Sequence, residues 1–537
     1  MREPKVAYFC MEYGLHPDFK IYSGGLGILA GDILKAAKDL GKPMVAIGML
    51  WRQGYTRQTI GENGRPVDSF LEYRYDFLKD TGVEVVVTIR KRKVRAKVWL
   101  CEQYGNVPLY LLDTFLEDNN DMLLTGQLYG WFDEERIAQE LLLGIGGIQA
   151  LEKLGIHPDI YHFNDSHPMF AGLELVRREM AEGAGFEQAV ENVRKHIVFT
   201  THTPVPAGNE VHGFPLLRYM GAFGSLTSAQ MKQIGGNPFN MTVAGLRLSY
   251  IANGVSELHG EVAREMWKKV QGAAEIISVT NGVHNGTWQA PEIVQTKADN
   301  NALWQAHSKL KQCLFTEIEQ RNGIKLNEKA LTIGFARRAA PYKRGDLIFS
   351  KPEIIEPLLK DSKLQLVFSG KAHPNDMAGK EIVSQMYRMS LKYPQSVVFL
   401  QDYDMKIGAA MTRGCDIWLN NPRRPQEASG TSGMKAAMNG VLNFSVLDGW
   451  WPEGCVHGVN GWKIGGGYDG TEQDAHDSES LYQVLLDEIL PTYYEDRQKW
   501  TEMMLASIEM SEYQFSAARM VTDYYNKMYG KQPQAQS

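Results

Sequence analysis

The sequence predicts an α/β protein of two or more domains, each built around a mostly parallel sheet. Its 537 residues are more than one hydrophobic core usually serves. Short runs of β-branched and aromatic residues alternate with helical stretches along most of the chain, which is the pattern of a parallel sheet with helices on both faces. The composition, 44% hydrophobic and 22% charged, is that of a globular protein.

The strand candidates fall into two sets along the chain. The first set comprises Val6–Cys10, Met44–Leu50, Ile160–Phe163 and His196–His202, and the second comprises Leu331–Ala336, Leu364–Ser369, Val397–Asp402 and Ile417–Asn420. Between the sets lie a helix-rich stretch (240–269) and a turn-rich stretch (280–288), so we place a domain boundary near residue 290. Residues 497–528 are predicted to be helical, and the polar residues 531–537 are predicted to be a disordered tail.

Charge, hydropathy and cysteine usage exclude several classes of protein. A formal net charge of −6 gives no electrostatic reason to expect a nucleic acid or a membrane as partner. No apolar run approaches the ~18–20 residues of a membrane span, and the first residues have no charged-then-apolar leader. The five cysteines are scattered and form no CxxC pair, which argues against disulfides and zinc. We therefore expect a cytoplasmic protein.

The first chemical feature is the glycine-rich segment Ser23-Gly24-Gly25-Leu26-Gly27. It follows a predicted strand and opens a predicted helix over 28–40. Glycines there let backbone N–H groups approach a ligand closely, and a helix N-terminus favours an anion. A tight strand-to-helix turn explains the same residues equally well.

The second feature is a group of four cations directly after the strand Leu331–Ala336. Arg337, Arg338, Lys343 and Arg344 stand within eight residues. Cations at the carboxyl end of a buried strand are costly unless an anion meets them, so the segment predicts an anion site. The alternative is a basic loop exposed to solvent, which is the more common environment for a run of charged residues.

The third feature is the segment Glu427–Lys435 (EASGTSGMK), which precedes a predicted helix. Its small residues make a backbone-lined loop, but the Gly-Lys-Ser/Thr of a nucleotide-binding P-loop is absent. A lysine among apolar neighbours can form a Schiff base with an aldehyde. A surface lysine on a glycine-rich turn remains the alternative from these residues alone.

Seven segments taken together resemble the α-glucan phosphorylase family, in its short bacterial or archaeal type. They are, in chain order, IYSGGLGILAGD (21–32), HFNDSHP (162–168), FTTHTPVPAG (199–208), LHGEVAREMW (258–267), TNGVHNGTW (280–288), ARRAAPYKR (336–344) and EASGTSGMK (427–435) with NGVLNFSVLDG after it (439–449). The resemblance implies two Rossmann-like domains facing across a cleft, the GT-B glycosyltransferase type, at 1–290 and 291–490. Helices over 491–530 would cross back to the first domain.

The resemblance also implies a role for each matching residue. Lys435 would hold pyridoxal phosphate (PLP) as a Schiff base, with further contacts to the cofactor or the sugar from Gly430, Thr431 and Arg337. The substrate phosphate would meet Arg338, Lys343 and the glycine loop at Gly24 and Gly25. The transferred glucose would meet Glu427, Ala428, Ser429, His202, Asn281 and His167.

The reaction implied is phosphorolysis of an α-glucan to α-glucose 1-phosphate with retention. The partners would be inorganic phosphate and maltodextrin, glycogen or starch, and a homodimer is expected by family analogy. The family uses the substrate phosphate as acid and nucleophile, supported by the cofactor phosphate, so cations must hold two phosphates together. Larger members carry a basic residue where Ile28 stands and a histidine where Ala340 stands. Because no N-terminal arm precedes the first strand, we expect no nucleotide or phosphorylation switch.

Two rival functions and two local alternatives remain to be weighed. A nucleotide-sugar glucan synthase would carry a lysine where Tyr22 stands and a glutamate where Lys435 stands, so these residues disfavour it. A non-catalytic glucan-binding protein is the other rival. We expect no metal site, because His162, Asp165 and His167 have no common ligand spacing. Trp450 and Trp451 could stack on a sugar or cap a core.

Overall fold

The computed structural model describes residues 2–129, 133–296 and 299–530. The strands are, in chain order, β1 (Val6–Phe9), β2 (Met44–Met49), β3 (Arg57–Ile60), β4 (Pro66–Ser69), β5 (Lys79–Ile89), β6 (Arg92–Cys101), β7 (Leu109–Asp113), β8 (Ile160–Asn164), β9 (Ile197–Thr200), β10 (Val211–His212), β11 (Phe239–Asn240), β12 (Ile251–Gly254), β13 (Glu275–Ser278), β14 (Leu331–Ala336), β15 (Leu364–Ser369), β16 (Val397–Leu400), β17 (Ile417–Asn420), β18 (Leu442–Val446) and β19 (Gly461–Ile464).

Helices separate most of these strands. They are α1 (Gly25–Asp39), α2 (Asp133–Leu141), α3 (Gly147–Lys153), α4 (Met169–Ala181), α5 (Phe186–Arg194), α6 (Phe214–Met220), α7 (Ser228–Gly235), α8 (Met241–Leu248), α9 (Glu257–Trp267), α10 (Asn285–Trp288), α11 (Pro291–Thr296), α12 (Asn300–Asn322), α13 (Pro352–Lys360), α14 (Met377–Lys392), α15 (Met405–Gly414), α16 (Ser432–Ala437), α17 (Trp451–Gly454), α18 (Gln473–Val484), α19 (Leu490–Glu495), α20 (Arg497–Gln514) and α21 (Ala517–Tyr524). Short 3-10 turns include Pro341–Lys343.

Contacts divide the chain into two compact units. The first unit contains the residues up to Tyr55, then Phe70–Thr280, and the chain from Ala517 on. The second unit contains Thr56–Ser69 and Asn281–Ser516. No helix within the described parts of the chain is long and apolar enough to cross a membrane.

The first unit is built on one large sheet with the strand order β13-β12-β9-β8-β1-β2-β7-β6-β5. From β13 to β7 all neighbours are parallel, whereas β6 and β5 close that end as an antiparallel hairpin. Val6 of β1 is in register with Met44 on one side and Ile160 on the other. The central strand β1 is wholly buried, as expected for a parallel sheet covered on both faces.

The second unit is built on a six-stranded parallel sheet with the order β16-β15-β14-β17-β18-β19. Leu331 of β14 is in register with Leu364 of β15, and both strands are buried along their length. The mixed α/β class with parallel sheets is therefore confirmed. All eight predicted strands are present, each within three residues of its expected bounds at either end.

Two predicted features differ from the structure. Helix α1 begins at Gly25, inside the glycine segment, and not at Ile28. The helix-rich stretch contains the strand β12, whose four buried residues are too few to show a period. Helix α20 belongs to the second unit because Trp500, Met504 and Ile508 are buried in that unit's core, and the chain returns to the first unit only at Ala517. The expected domain division at 290 and 490 stays a prediction.

Candidate functional site

The end of strand β14 brings two buried cations to one carboxylate. Arg337 follows the strand directly, and its guanidinium donates to the Asn420 side chain and, at 2.6 Å from Nη2 to Oε2, to Glu427. Lys343 lies in the turn Pro341–Lys343, with its Nζ 3.1 Å from the same Glu427 oxygen. Arg337, Lys343 and Glu427 are all buried. Two positive charges therefore face one negative charge, an excess that suits an added anion.

The other two cations of this segment have different surroundings. Arg338 is exposed, and within the described residues it makes no ion pair. Arg344 is buried and donates to the Asp477 carboxylate at 2.6 Å and to the carbonyls of Asn421 and Pro422 at 2.8 Å. Arg344 therefore holds this loop to helix α18 and does not join the anion-facing pair.

Glu427 is the electrostatic centre of this group. Burial alone would raise its pKa, but the charges of Arg337 and Lys343 outweigh burial and lower the pKa of Glu427 to about 2. The carboxylate is therefore ionised at neutral pH and accepts hydrogen bonds from both cations. The family resemblance implied a sugar-binding role for Glu427, and nothing in the sequence indicated this pairing, because the two partners lie 90 and 84 residues away along the chain.

Asp448 binds the backbone N–H at the start of the 427–431 loop. One Asp448 oxygen accepts the N–H of Glu427 at 2.9 Å, and the other accepts the N–H of Gly449 at 2.8 Å. Burial raises the pKa of Asp448 to about 7. At Gly430 the backbone has φ = +81°, a conformation that favours glycine. Asp448 was not singled out from the sequence, although it follows strand β18 closely, as functional residues of such sheets often do.

Lys435 lies on helix α16, which begins just after Thr431. The residue is buried, and its Nζ stands 3.7 Å from the centroid of the Trp288 ring. Ala428 and Thr431 are half-buried, and Ser429 is buried with a hydroxyl that has no hydrogen-bond partner within the described part of the chain. A buried amine on an aromatic ring and an unsatisfied hydroxyl nearby along the chain are groups that can hold an organic ligand.

The glycine loop lies in the first unit. Glu12, which follows β1, accepts the N–H groups of Ser23 at 2.5 Å and Gly24 at 3.1 Å. A Cβ atom built on Gly24 or Gly25 would meet no described atom within 4 Å, so this side of the loop is open. The N–H groups of Gly25 and the two residues after it belong to the first helical turn and have no acceptor within the helix.

Two histidines of the first unit are kept neutral. Burial lowers the pKa of His202 and of His167 to about 3. The Nε2 atom of His202 is 2.6 Å from the Asn164 side-chain oxygen, which fixes its ring. His162 is also buried, but its ring bonds to Tyr529 and Thr200 and so serves packing. Neutral imidazoles can exchange hydrogen bonds with uncharged ligands.

His167 belongs to a buried polar cluster that the sequence did not suggest. Its ligand atom and those of Glu140 and Glu210 lie within 4.8 Å of one another. Arg136 donates to Glu210 and stands 3.4 Å from Glu140. Among the described residues, both Glu140 oxygens and the Nδ1 atom of His167 lack a hydrogen-bond partner. These three side chains have the geometry of a metal-binding group, but the Arg136 cation already offsets part of their charge.

The remaining predicted positions have simpler surroundings. Asn281 is a buried residue of the second unit. Trp450 and Trp451 are fully buried, and the Trp450 ring packs edge-on against Phe515 at a centroid distance of 4.6 Å. Of the two roles weighed for these tryptophans, the structure favours core packing.

Comparison with known proteins places these residues in a family context. A family profile described as "Phosphorylase: Carbohydrate phosphorylase" matches residues 289–451, which include the strand-end cations and Lys435. The maltodextrin phosphorylase of Thermococcus litoralis is 40% identical over 98% of this chain and 71% of its own. The glycogen phosphorylase of Aquifex aeolicus is 35% identical over 98% and 86%, respectively. That of Mycobacterium tuberculosis is 37% identical over 99% and 71%.

Proposed function

Because the chain belongs to the carbohydrate phosphorylase family, we propose that the Arg337–Glu427–Lys343 group and the Lys435 segment carry out α-glucan phosphorolysis. The enzyme is a glycosyltransferase that moves a terminal glucose of an α-glucan onto inorganic phosphate. The observation that carries the assignment is the pair of buried cations on a single carboxylate at the end of β14. A glucan synthase or a non-catalytic glucan-binding protein is not favoured by the relatives.

The substrate phosphate is assigned to Lys343, Arg338 and the glycine loop. Lys343 offers a buried charge, which interacts strongly with an anion because little water competes. Arg338 is exposed and can move toward the phosphate at small cost. Gly25 would contribute its N–H group from the start of helix α1, where the helix dipole favours negative charge.

The transferred glucose is assigned to groups that accept or donate hydrogen bonds without changing charge. Ser429 has an unpartnered buried hydroxyl, and His167 has an unpartnered ring nitrogen, within the described residues. Because burial keeps His167 and His202 neutral, either ring can face a sugar hydroxyl or a developing positive sugar without repelling it. Ala428 and Asn281 complete the proposed sugar side, and Gly24 stays with Gly25 on the phosphate side.

The second unit also has residues that fit PLP. Lys435 has a buried amine for the covalent link, Arg337 has a charge for the cofactor phosphate, and Gly430 and Thr431 provide a small-residue loop between them. When bound, the cofactor would supply a phosphate group that supports proton transfer. Arg337 would hold the cofactor phosphate and Lys343 the substrate phosphate against their mutual repulsion, and both cations are paired with Glu427.

The larger arrangement is proposed along with the chemistry. We infer two Rossmann-like domains facing across a cleft, as in GT-B glycosyltransferases, with a cytoplasmic location and a homodimer as the assembled form. Retention of the anomeric configuration in α-glucose 1-phosphate belongs to the same proposal. Maltodextrin, glycogen and starch are all chemically suitable glucans.

Borohydride reduction of the purified protein, followed by peptide mass mapping, tests the cofactor assignment. Lys435 should carry a phosphopyridoxyl group. Lys311 is a matched control because it is also buried in the same unit, with its Nζ 2.6 Å from the Asp416 carboxylate. Label on Lys311, or none on Lys435 in protein that absorbs as a PLP enzyme, would contradict the assignment. Incubation with maltodextrin and phosphate should yield α-glucose 1-phosphate, whereas free glucose as the main product would contradict phosphorolysis.

A further inference from the structure

Glu12 is a buried carboxylate that binds the backbone of the glycine loop. It follows strand β1, and only 2% of the residue is exposed. It accepts hydrogen bonds from the N–H of Ser23 at 2.5 Å, from the Ser23 hydroxyl at 2.9 Å and from the N–H of Gly24 at 3.1 Å. The hydroxyl of Tyr129 donates to its other side. Four donors therefore converge on one carboxylate.

These bonds divide the loop into a held side and an open side. A Cβ atom on Gly27 would lie 2.5 Å from Glu12 Oε2, so the loop packs directly on the carboxylate. On Gly24 and Gly25 the same atom would meet nothing within 4 Å among the described residues. The N–H groups of Ser23 and Gly24 thus point at Glu12, and the next N–H groups are left for a ligand on the open side.

We propose that Glu12 is the positioning residue of the glycine loop, fixing it so that the Gly25 N–H meets the substrate phosphate. The proposal rests on the phosphorolysis assigned above. Glu12 does not bind the phosphate itself, because its oxygens are occupied by the loop and its charge would repel an anion. Its contribution is to remove loop motion before the phosphate arrives.

Tyr129 links this carboxylate to the buried cluster around His167. Its ring lies under the Arg136 guanidinium at 4.5 Å and 5.7 Å from the ring of His167. Burial raises the pKa of Tyr129 well above its usual range, so the hydroxyl remains a donor to Glu12. The side chains of Glu12 and Tyr129 therefore connect the glycine loop to His167, the histidine proposed for the sugar side. The hydrogen bonds from Ser23 to Glu12 involve the loop alone.

Steady-state kinetics of the cofactor-loaded enzyme test the proposal. Glu12→Ala should raise the KM for phosphate about 30-fold or more and leave the KM for maltodextrin within about twofold. Glu12→Gln keeps one acceptor oxygen for the two N–H groups, and its amide can donate to the hydroxyls, so it should raise the phosphate KM only about threefold to tenfold. Glu84→Gln, which alters a carboxylate paired with Arg95 at the surface, should behave as wild type.

Hydrogen exchange of the full chain gives a readout independent of turnover. Amides over 22–28 should exchange faster in Glu12→Ala than in wild type, and those of β14 should not change. If Glu12→Ala does not fold, Ser23→Ala carries the kinetic test, with an expected rise in phosphate KM of about twofold to fivefold. Unchanged phosphate KM, or equal rises for both substrates, would overturn the inference. If wild type shows no phosphorolysis, the proposed function fails, and loop exchange alone decides the role of Glu12.

Discussion

Arg337 and Glu427 lie 90 residues apart in the chain, yet their side chains meet with Nη2 and Oε2 only 2.6 Å apart in a buried setting. The contact joins the end of strand β14 to the loop before helix α16. Lys343 reaches the same carboxylate, so the three side chains form one charged unit. Removing the negative charge leaves two buried cations uncompensated, which is costly.

Glu427→Gln should remove an acid-sensitive part of the stability. Because the folded pKa of Glu427 is lowered to about 2 from an ordinary value near 4.5, its contribution is complete above pH 4.5 and is lost as the pH falls toward 2. Denaturant titrations between pH 6 and 3 should therefore show a flatter pH dependence for the variant. Glu479→Gln, at an exposed pair with Lys351, is the control and should keep the wild-type slope. An unchanged slope in Glu427→Gln would contradict the pairing.

Asp448→Asn should change the pH dependence of stability in the direction opposite to Glu427→Gln. Burial raises the folded pKa of Asp448 from 3.8 to about 7, so the folded chain keeps a proton that the unfolded chain loses. Wild-type stability should fall as the pH rises from about 4 to 7, and the neutral variant should lack this fall. The stability advantage of wild type over Asp448→Asn should thus be larger at pH 5 than at pH 8. A difference that grows with pH would show that the carboxylate is stabilised when ionised.

The two phosphate cations should respond differently to truncation. Lys343→Ala removes a buried charge and should weaken the interaction with the substrate phosphate by about 2–5 kcal/mol. Arg338→Ala removes an exposed charge and should cost about 1 kcal/mol or less, with no change in the free energy of unfolding. Initial rates over a range of phosphate concentrations measure both effects. Lys360→Ala, at an exposed site, supplies the baseline. Equal losses for Arg338→Ala and Lys343→Ala would show that burial does not determine how strongly each cation interacts with phosphate.

Gly430→Ala and Gly458→Ala form a matched pair for the loop conformation. Both glycines have φ near +80°, at +81° and +74°, so each alanine should cost about 1 kcal/mol of stability. A Cβ on Gly430 would lie 3.3 Å from Glu427 Cγ, whereas one on Gly458 would meet nothing within 4 Å. Activity should therefore fall about 10-fold or more only for Gly430→Ala. Thermal unfolding and turnover, measured on the same samples, separate the two effects.

The buried strands could be predicted because their apolar runs are continuous and have sharp ends. Leu331–Ala336 has its predicted bounds, since the strand is covered on both sides and charged residues follow it at once. The hairpin of β5 and β6 could not be found in this way, because exposed and buried residues mix along both strands and charges interrupt the apolar pattern. Strand β12 was not predicted because it has only four residues and lies between two helices in the chain.

The residue types of the site could be predicted, but their pairing could not. The cations after β14 and the lysine of the 427–435 segment are visible as local patterns. That Arg344 would bind Asp477 while Arg337 and Lys343 would bind Glu427 depends on which side chains the sheet brings together across 84 to 133 residues. The hydrogen bonds of Glu12 could not be predicted either, because a single acidic residue before a glycine loop does not indicate that four donors bind it.

The discontinuous course of the chain has a consequence for synthesis on the ribosome. Residues 56–69 leave the first compact unit early, and Ala517, Met520, Val521 and Tyr524 rejoin its apolar core only after the whole second unit has been made. Domains usually fold in order of emergence, N-terminal first. Here the growing chain must keep the surface that receives helix α21 uncovered while about 235 residues of the other unit emerge and collapse. The unit whose translation begins first is thus the last to acquire its complete core.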